Sequence, residues 1–92
     1  MGIARFTLGQ IVATPRALEA LGEAGEIPAA LLKRHVTGDW GNLDEHDRLE
    51  NERSVANGYR LLSAYILSTG VKLWIITEAD RSVTTLLLPS EY

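Results

Sequence analysis

The pattern of hydrophobic and polar positions changes about two thirds of the way along the chain. Between residues 15 and 57, helix end signals and apolar residues three or four apart predominate, whereas residues 60–88 hold β-branched, aromatic and leucine-rich runs between short polar stretches. The first pattern predicts helices and the second predicts strands. We therefore predict a single α+β domain over residues 1–92, with three short helices packed on a three- or four-stranded antiparallel sheet that ends in a C-terminal β-meander.

The first two helices are predicted from their end signals. Thr14 can cap a helix, and Pro15 suits its first position, where an amide proton would have no intrahelical partner. This helix should end at Gly25, which tolerates a positive φ. A second helix over residues 29–36 should follow Pro28. Their predicted apolar sides consist of Leu18, Leu21, Leu31, Leu32 and Val36.

A third helix is predicted over residues 42–57. Asn42 and Glu45 have the spacing of a capping pair, and Gly58 suits the C-terminal end. The apolar residues of this segment do not gather on one side at helical spacing. We therefore expect a largely solvated helix that is held by a few contacts.

Three strands are predicted over residues 60–67, 71–77 and 83–88, and a fourth short strand over residues 5–12 with an irregularity at Gly9. Both faces of the meander are apolar. The helices can cover one face, so the other must contact the N-terminal segment, a second copy of the chain or a partner.

The composition predicts the cellular compartment of the protein and disfavours one class of binding partner. The chain of 92 residues is 46% hydrophobic and 23% charged, has no cysteine, and carries a formal net charge of −3. Without cysteine there are no disulfides or thiolate metal sites, and the N-terminus lacks the apolar run of a signal peptide. We expect a cytoplasmic protein without membrane segments. The negative charge disfavours a general nucleic-acid binder.

The negative charge is concentrated in one segment. Residues 39–53 carry six acids and two bases, net −4, while the remainder of the chain is net +1. One hypothesis is a binding surface that competes with nucleic acid for a basic groove on a protein partner, so that nucleic acid itself should not bind here. The other is a solvated helix face. The candidate partner-binding residues are Asp39, Trp40, Asp44, Glu45, Asp47 and Glu50.

Trp40, between two glycines, is either an exposed contact residue for a partner or a packing anchor. The sequence leaves both interpretations open.

A second polar set, in the last predicted hairpin, suggests different chemistry. A carboxylate, a guanidinium and hydroxyls are the groups that a metal-independent ribonuclease would use. Helices followed by a meander also resemble the layout of barnase-like and RelE-like ribonucleases, an analogy of layout only. Against this, no histidine follows residue 46, and Asp80 can neutralise the neighbouring arginine. The candidate catalytic residues are Glu78, Arg81, Ser82 and Thr84.

A metal site is the weakest candidate. His35, Asp39, Asp44 and His46 are ligand types that suit a divalent cation, but their spacing matches no known motif. We expect two surface or half-buried histidines, no metal and no cofactor.

Five stretches, residues 6–15, 35–41, 60–65, 74–85 and 87–92, resemble a family of small bacterial proteins encoded on plasmids, prophages and other mobile elements. Members are often labelled plasmid-related or type I restriction endonuclease subunit M. That label is not literal here, because a methylating subunit needs a far larger cofactor-binding domain. The resemblance implies a mobile-element accessory protein, a context in which anti-restriction and anti-CRISPR inhibitors are common, and it carries over no catalytic residues.

Three functional hypotheses follow. The leading one is a non-enzymatic binding protein of a mobile element that inhibits a host nucleic-acid defence complex through its acidic surface. The alternatives are a small ribonuclease toxin and an obligate homodimeric accessory protein without a catalytic role.

Overall fold

The computed structural model describes residues 2–92, which fold as three α-helices, four β-strands and a short 3₁₀ turn. The α+β prediction is confirmed. The elements are α1 (Pro15–Ala24), α2 (Pro28–Val36) and α3 (Glu45–Asn57), with β1 (Gln10–Ala13), β2 (Leu61–Ile66), β3 (Lys72–Thr77), β4 (Val83–Leu87) and the 3₁₀ turn at Pro89–Glu91.

The sheet has the strand order β1-β4-β3-β2. Its β2-β3-β4 part is the predicted antiparallel meander. Strand β1, however, pairs with β4 in parallel, so the sheet is mixed and the expectation of a wholly antiparallel sheet is wrong in this respect. The reason lies in the connection: β1 leads directly into α1, and a strand followed by a helical crossover rejoins its sheet in parallel.

Strand β1 is also shorter than predicted, because residues 5–9 are not strand. Gly9 adopts a φ of 65°, and its Cα lies so close to the carbonyls of Arg81 and Ser82 that a Cβ would overlap them. Only glycine combines this backbone conformation with such a close approach. The predicted irregularity is therefore the point where the strand begins.

Helix α1 has the predicted ends. The Thr14 side chain accepts a hydrogen bond from the amide of Ala17 at 3.0 Å, and Gly25 follows the last turn with a φ of 68°. The buried side differs from the prediction, because Leu18 is 50% exposed. Small residues at this interface let the helix lie close to the sheet. The buried residues of α1 are Ala17, Ala20 and Leu21.

In α2 the buried side contains Leu31 and Leu32 as predicted, but Val36 is only half-buried and His35 is fully buried in its place. In α3 the cap is Asp44, which accepts from the amide of Asp47 at 2.8 Å. The predicted cap, Asn42, lies outside the helix.

The main core fills the space between α1, α2 and one face of the sheet. It includes residues Ala17, Ala20, Leu21, Leu31, Leu32, Tyr65, Leu67, Leu73, Ile75 and Leu86. The opposite face carries Trp74 and Ile76, and the ring of Tyr92 packs edge-on against Trp74 at 5.7 Å between centroids. The C-terminal residues thus cover part of the second apolar face. No helix within residues 2–92 is long and apolar enough to cross a membrane.

Helix α3 closes the β2 edge of the sheet. The side-chain amide of Asn51 donates to the Leu62 carbonyl at 2.7 Å, and its carbonyl oxygen accepts from the Leu62 amide at 3.1 Å. Next along the strand, the Ala64 amide donates to the Trp40 carbonyl at 3.1 Å, and the Asn42 amide donates to the Ala64 carbonyl at 2.6 Å. We expected α3 to be held by a few contacts, and its contacts with β2 are polar. The buried side chains of the helix are Asn51 and Ser54.

Candidate functional site

Four of the predicted acidic residues lie together at the exposed N-terminal half of α3. Asp44 caps the helix, while Glu45 and Asp47 occupy its first turn, where the helix dipole stabilises negative charge. Glu50 lies one turn further on and pairs with Arg53 at 2.8 Å, with both side chains at least half exposed. We call Asp44, Glu45, Asp47 and Glu50 the acidic face.

Asp39 does not belong to this face. It lies in the connection after α2, where its carboxylate pairs with the guanidinium of Arg34 at 2.7 Å and accepts from the amide of Gly41 at 3.2 Å. Arg34 holds the pKa of Asp39 below its usual value. This carboxylate therefore organises the connection between α2 and α3.

Trp40 is buried, with only 3% of its surface exposed, which agrees with a packing anchor and not with an exposed contact residue, the two interpretations that the sequence left open. Its ring stacks on Phe6 at 6.1 Å and meets the ring of His35 edge-on at 5.9 Å. The indole Nε1 donates to the carboxylate of Glu52 at 2.9 Å. Trp40 is a packing anchor beneath α3.

Glu52 is the one acid of α3 that is tied to the interior. Besides the bond from Trp40, its two oxygens accept from the two terminal guanidinium nitrogens of Arg5, at 2.7 and 2.9 Å. The hydrogen bonds from Arg5 and then Trp40 lower the pKa of Glu52 to about 2. This carboxylate fastens the N-terminal segment to α3, leaving the acidic face as the outward-facing charge of the helix.

A groove of about 250 Å³ runs beside the acidic face. Asp47 and Glu50 contribute carboxylates to its α3 wall, Leu62 contributes apolar surface from β2, and Arg60 contributes a guanidinium that also lies 3.8 Å from Glu78. The sequence analysis missed Arg60 and Leu62, because only the docking of α3 on β2 brings them here. The lining residues are Leu43, Asp47, Glu50, Asn51, Ser54, Arg60 and Leu62.

The second polar set does not assemble around a free guanidinium. One guanidinium nitrogen of Arg81 donates to the carbonyls of Tyr59, Glu78 and Ala79, and the other donates to the carbonyl of Ser54 at 2.9 Å. These bonds tie the β3–β4 loop to the C-terminal end of α3. Arg81 is thus committed to carbonyl groups of the protein itself.

The other three members of this set point to separate surroundings. Ser82 donates to Asp80 at 2.6 Å, Glu78 lies beside Arg60, and Thr84 is fully buried. A ribonuclease needs its base and its cation at the same phosphate. This geometry does not favour that alternative.

Thr84 belongs to a buried polar network that the sequence did not reveal. It donates its proton to the Leu8 carbonyl at 2.7 Å, so the Thr77 hydroxyl, 2.7 Å away, must be the donor between the two threonines. The single hydroxyl proton of Thr77 is thereby used. Its oxygen must therefore accept from Nε2 of His35, 2.9 Å away, so Nε2 carries a proton. Ser63 donates to the remaining nitrogen, Nδ1, at 2.6 Å. The bonds therefore fix a neutral imidazole in one tautomer.

The surroundings favour the same state. Burial, and secondarily the charge of Arg81, lowers the pKa of His35 to about 4. The histidine was expected to be at the surface or half-buried, and the structure corrects this to full burial. His35 is not available as a metal ligand, since both of its ring nitrogens are bonded to side-chain hydroxyls, and His46 is exposed on α3. Within the described part of the chain, no group of three His, Asp or Glu side chains is placed to hold a metal.

Comparison with known proteins found no matching family model for the chain, and no significant match among curated proteins or solved structures.

Proposed function

We propose that this protein is a non-enzymatic binding protein that docks on a protein partner through the acidic face of α3. The observation that carries the proposal is the groove beside Asp47 and Glu50. It combines these carboxylates with the apolar surface of Leu43 and Leu62, and the one guanidinium in its lining, Arg60, lies 3.8 Å from the carboxylate of Glu78. A long basic side chain fits this combination: its methylene stem packs on leucine, and its cationic head binds carboxylate oxygen. The partner should therefore present arginine or lysine.

The fixed geometry of the face supports this function. The helix is capped by Asp44 at its start and anchored by Asn51 and Arg81 further along, so its carboxylates are held on a rigid element. Carboxylates on a rigid scaffold cost little entropy to order when they meet a basic surface. Electrostatic complementarity of this kind mainly accelerates association and selects partners.

The class of partner follows from the resemblance to mobile-element proteins. A host nucleic-acid defence complex binds its guide or target in a basic groove, and a negatively charged face can compete for that groove. We propose that such a complex is the partner and that the protein inhibits it. The ribonuclease alternative receives less support, since Arg81 is bound to backbone carbonyls.

The test begins with affinity capture from host-cell extract, followed by titration calorimetry against the purified complex that is captured. The test variant carries Asp47→Lys and Glu50→Lys, and Asp44 is left intact because its loss would remove the helix cap. The matched control carries Glu19→Lys and Glu23→Lys, the same charge change on exposed positions of α1.

We expect the α3 variant to lose at least tenfold in affinity while the α1 control binds as the parent does. The affinity of the parent should also fall as salt is raised, since the contact is ionic. Equal affinities for both variants would contradict the proposal, as would a captured partner whose contact surface is acidic or uncharged.

A further inference from the structure

The two edges of the sheet differ in whether their backbone groups have hydrogen-bond partners. Helix α3 and residues 40–42 occupy the backbone groups of the β2 edge. Strand β1 forms the other edge, and among residues 2–92 only β4 pairs with it. The amide of Gln10 donates to the Ser82 carbonyl at 2.9 Å, and the amide of Thr14 donates to the Leu86 carbonyl at 3.0 Å. In a parallel ladder, alternate residues face the partner strand. The backbone groups of the residues between, Ile11 and Ala13, therefore point away from the sheet.

This open edge carries none of the charges or prolines that often protect edge strands against pairing. Natural edge strands often carry lysine, proline or a bulge, but Gln10–Ala13 contains no charge and no proline. Ile11 and Val12, both β-branched, are 49% and 38% exposed. The positive φ of Gly9 on one side and Pro15 on the other limit the edge to a short segment. An occupant must therefore match a short uncharged strand.

We propose that β1 pairs antiparallel with β1 of a second copy of this chain, with Val12 on the two-fold axis. In this register Ile11 lies opposite Ala13 of the other copy. Both residues direct their amide and carbonyl groups outward, so every outward group of the two strands finds a partner. Placing Ile11 on the axis would instead require an extended Gly9, and the φ of 65° excludes that.

The side chains suit the same arrangement. Val12 stands in register with Thr85 of β4, which pairs in turn with Ile76 of β3 and Leu62 beyond it. Two valines facing each other across the axis would continue this row of the second sheet face into the other copy. Valine pairs at a non-hydrogen-bonded position lie close and favour strand pairing.

Charges of both signs lie at the ends of the edge. Exposed Arg16 follows the Ala13 end, where Glu91 of the same copy bonds Thr14 and interacts with Arg16. Asp80, bonded to Ser82, lies at the Gln10 end. A second copy therefore fits the edge in backbone register and in apolar row, and the charges do not concentrate one sign at the axis. Because the segment is short, we expect a dimer that forms reversibly with concentration.

The test is the solution mass of four proteins, the parent and three single variants, by sedimentation velocity over a range of concentrations. The parent should shift from 10.1 kDa toward twice that mass as concentration rises. Val12→Lys and Val12→Glu should each remain monomeric, since the axis places two like charges together, and an equimolar mixture should recover the dimer. Ile27→Lys, the same kind of change at a position 65% exposed in the α1–α2 connection, should dimerise as the parent does.

Amide hydrogen exchange gives a second readout on the parent protein alone. The amides of Ile11 and Ala13 should gain protection as concentration rises, whereas that of Val12, already bonded to β4, should change little. A parent that stays monomeric at millimolar concentration overturns the proposal. So does a dimer that both charged Val12 variants retain, which would indicate association through the second sheet face instead.

Discussion

The guanidinium of Arg81 donates to the carbonyl of Ser54 across 2.9 Å, which places a cation at the C-terminal end of α3. The last turn of that helix contains no basic residue of its own. Arg81 therefore complements the helix dipole from a distant loop, adding a charged donor to a carbonyl that also accepts from the amides of Gly58 and Tyr59. It does so with a φ of 61°, the one non-glycine positive φ among the described residues.

Two replacements of Arg81, by alanine and by glycine, separate the effect of backbone strain on stability from the effect of the guanidinium hydrogen bonds. We expect Arg81→Ala to lower the free energy of unfolding by about 2 kcal/mol, since it loses the charged bonds and keeps the unfavourable φ. Arg81→Gly loses the same bonds but relieves the strain, so it should cost about 1 kcal/mol less than alanine. Urea unfolding followed by circular dichroism measures both. If Arg81→Ala were as stable as the parent, the carbonyl bonds would contribute nothing.

Stability should depend on pH through His35. Its pKa is about 4 in the folded protein against 6.5 unfolded, so the unfolded state binds more protons between these values. Stability is therefore complete above about pH 6.5 and falls as the pH drops toward 4, by up to about 3 kcal/mol. Urea unfolding at steps from pH 7.5 to 4.5 measures the loss.

Two further measurements assign this pH dependence to one residue. The His35→Leu variant, although less stable at neutral pH, should lose most of the slope between pH 6.5 and 4. In the parent, the imidazole signals of His35 should remain those of the neutral ring at pH 5.5, with exposed His46 recorded in the same spectrum. A charged His35 at pH 5.5 would contradict the prediction.

Asn51 should protect the sheet as well as stabilise it. The side chain is 4% exposed and makes two hydrogen bonds to the backbone of Leu62. We expect Asn51→Ala to cost about 1–3 kcal/mol, because it leaves a backbone amide and a carbonyl of β2 without their partners. Aggregation on mild heating, followed by light scattering, should increase as well.

The matched control is Asn57→Ala, in which an exposed asparagine of the same helix loses a single bond to the Arg53 carbonyl. Its stability should change by less than about 0.5 kcal/mol. Equal losses in the two variants would show that the contact with β2 contributes nothing beyond the helix itself.

Glu52 should couple the N-terminal segment to α3. Glu52→Ala removes the bonds to Arg5 and to Trp40, and we expect a loss of about 1 kcal/mol, since the carboxylate is 45% exposed and partly screened by water. The tryptophan emission should change, because the indole loses its acceptor. Glu45→Ala, an exposed acid of the first turn, is the control and should leave the emission unchanged.

Local sequence signals predicted where the helices and strands lie. They did not predict how β1 pairs within the sheet, because that pairing joins distant parts of the chain. The ends of α1 follow from Thr14, Pro15 and Gly25, each of which acts within one turn of chain. The parallel pairing of β1 depends instead on residues at the opposite end of the sequence. The hydrophobic periodicity within β1 or within β4 does not indicate which strand each pairs with, or in which direction.

In the candidate site, too, some features were predictable from the local sequence and others depend on tertiary packing. The acidic residues were evident from charge alone, and the structure keeps four of them on the exposed half of α3. The burial of Trp40 was not evident, because it depends on the docking of α3, which brings Glu52 within hydrogen-bond distance of the indole. Arg60 and Leu62 likewise enter the groove through tertiary packing, which the pattern of a single segment does not contain.

The pairing of β1 with β4 has a consequence for the order of folding. Leu8 and Thr84 are 76 positions apart in the chain, yet they share a partly buried hydrogen bond beside this pair of strands. Closing so long a loop costs entropy that local contacts do not. We expect the meander and α3 to collapse first, and the N-terminal segment to join last, completing the buried network around His35 as the final cooperative step.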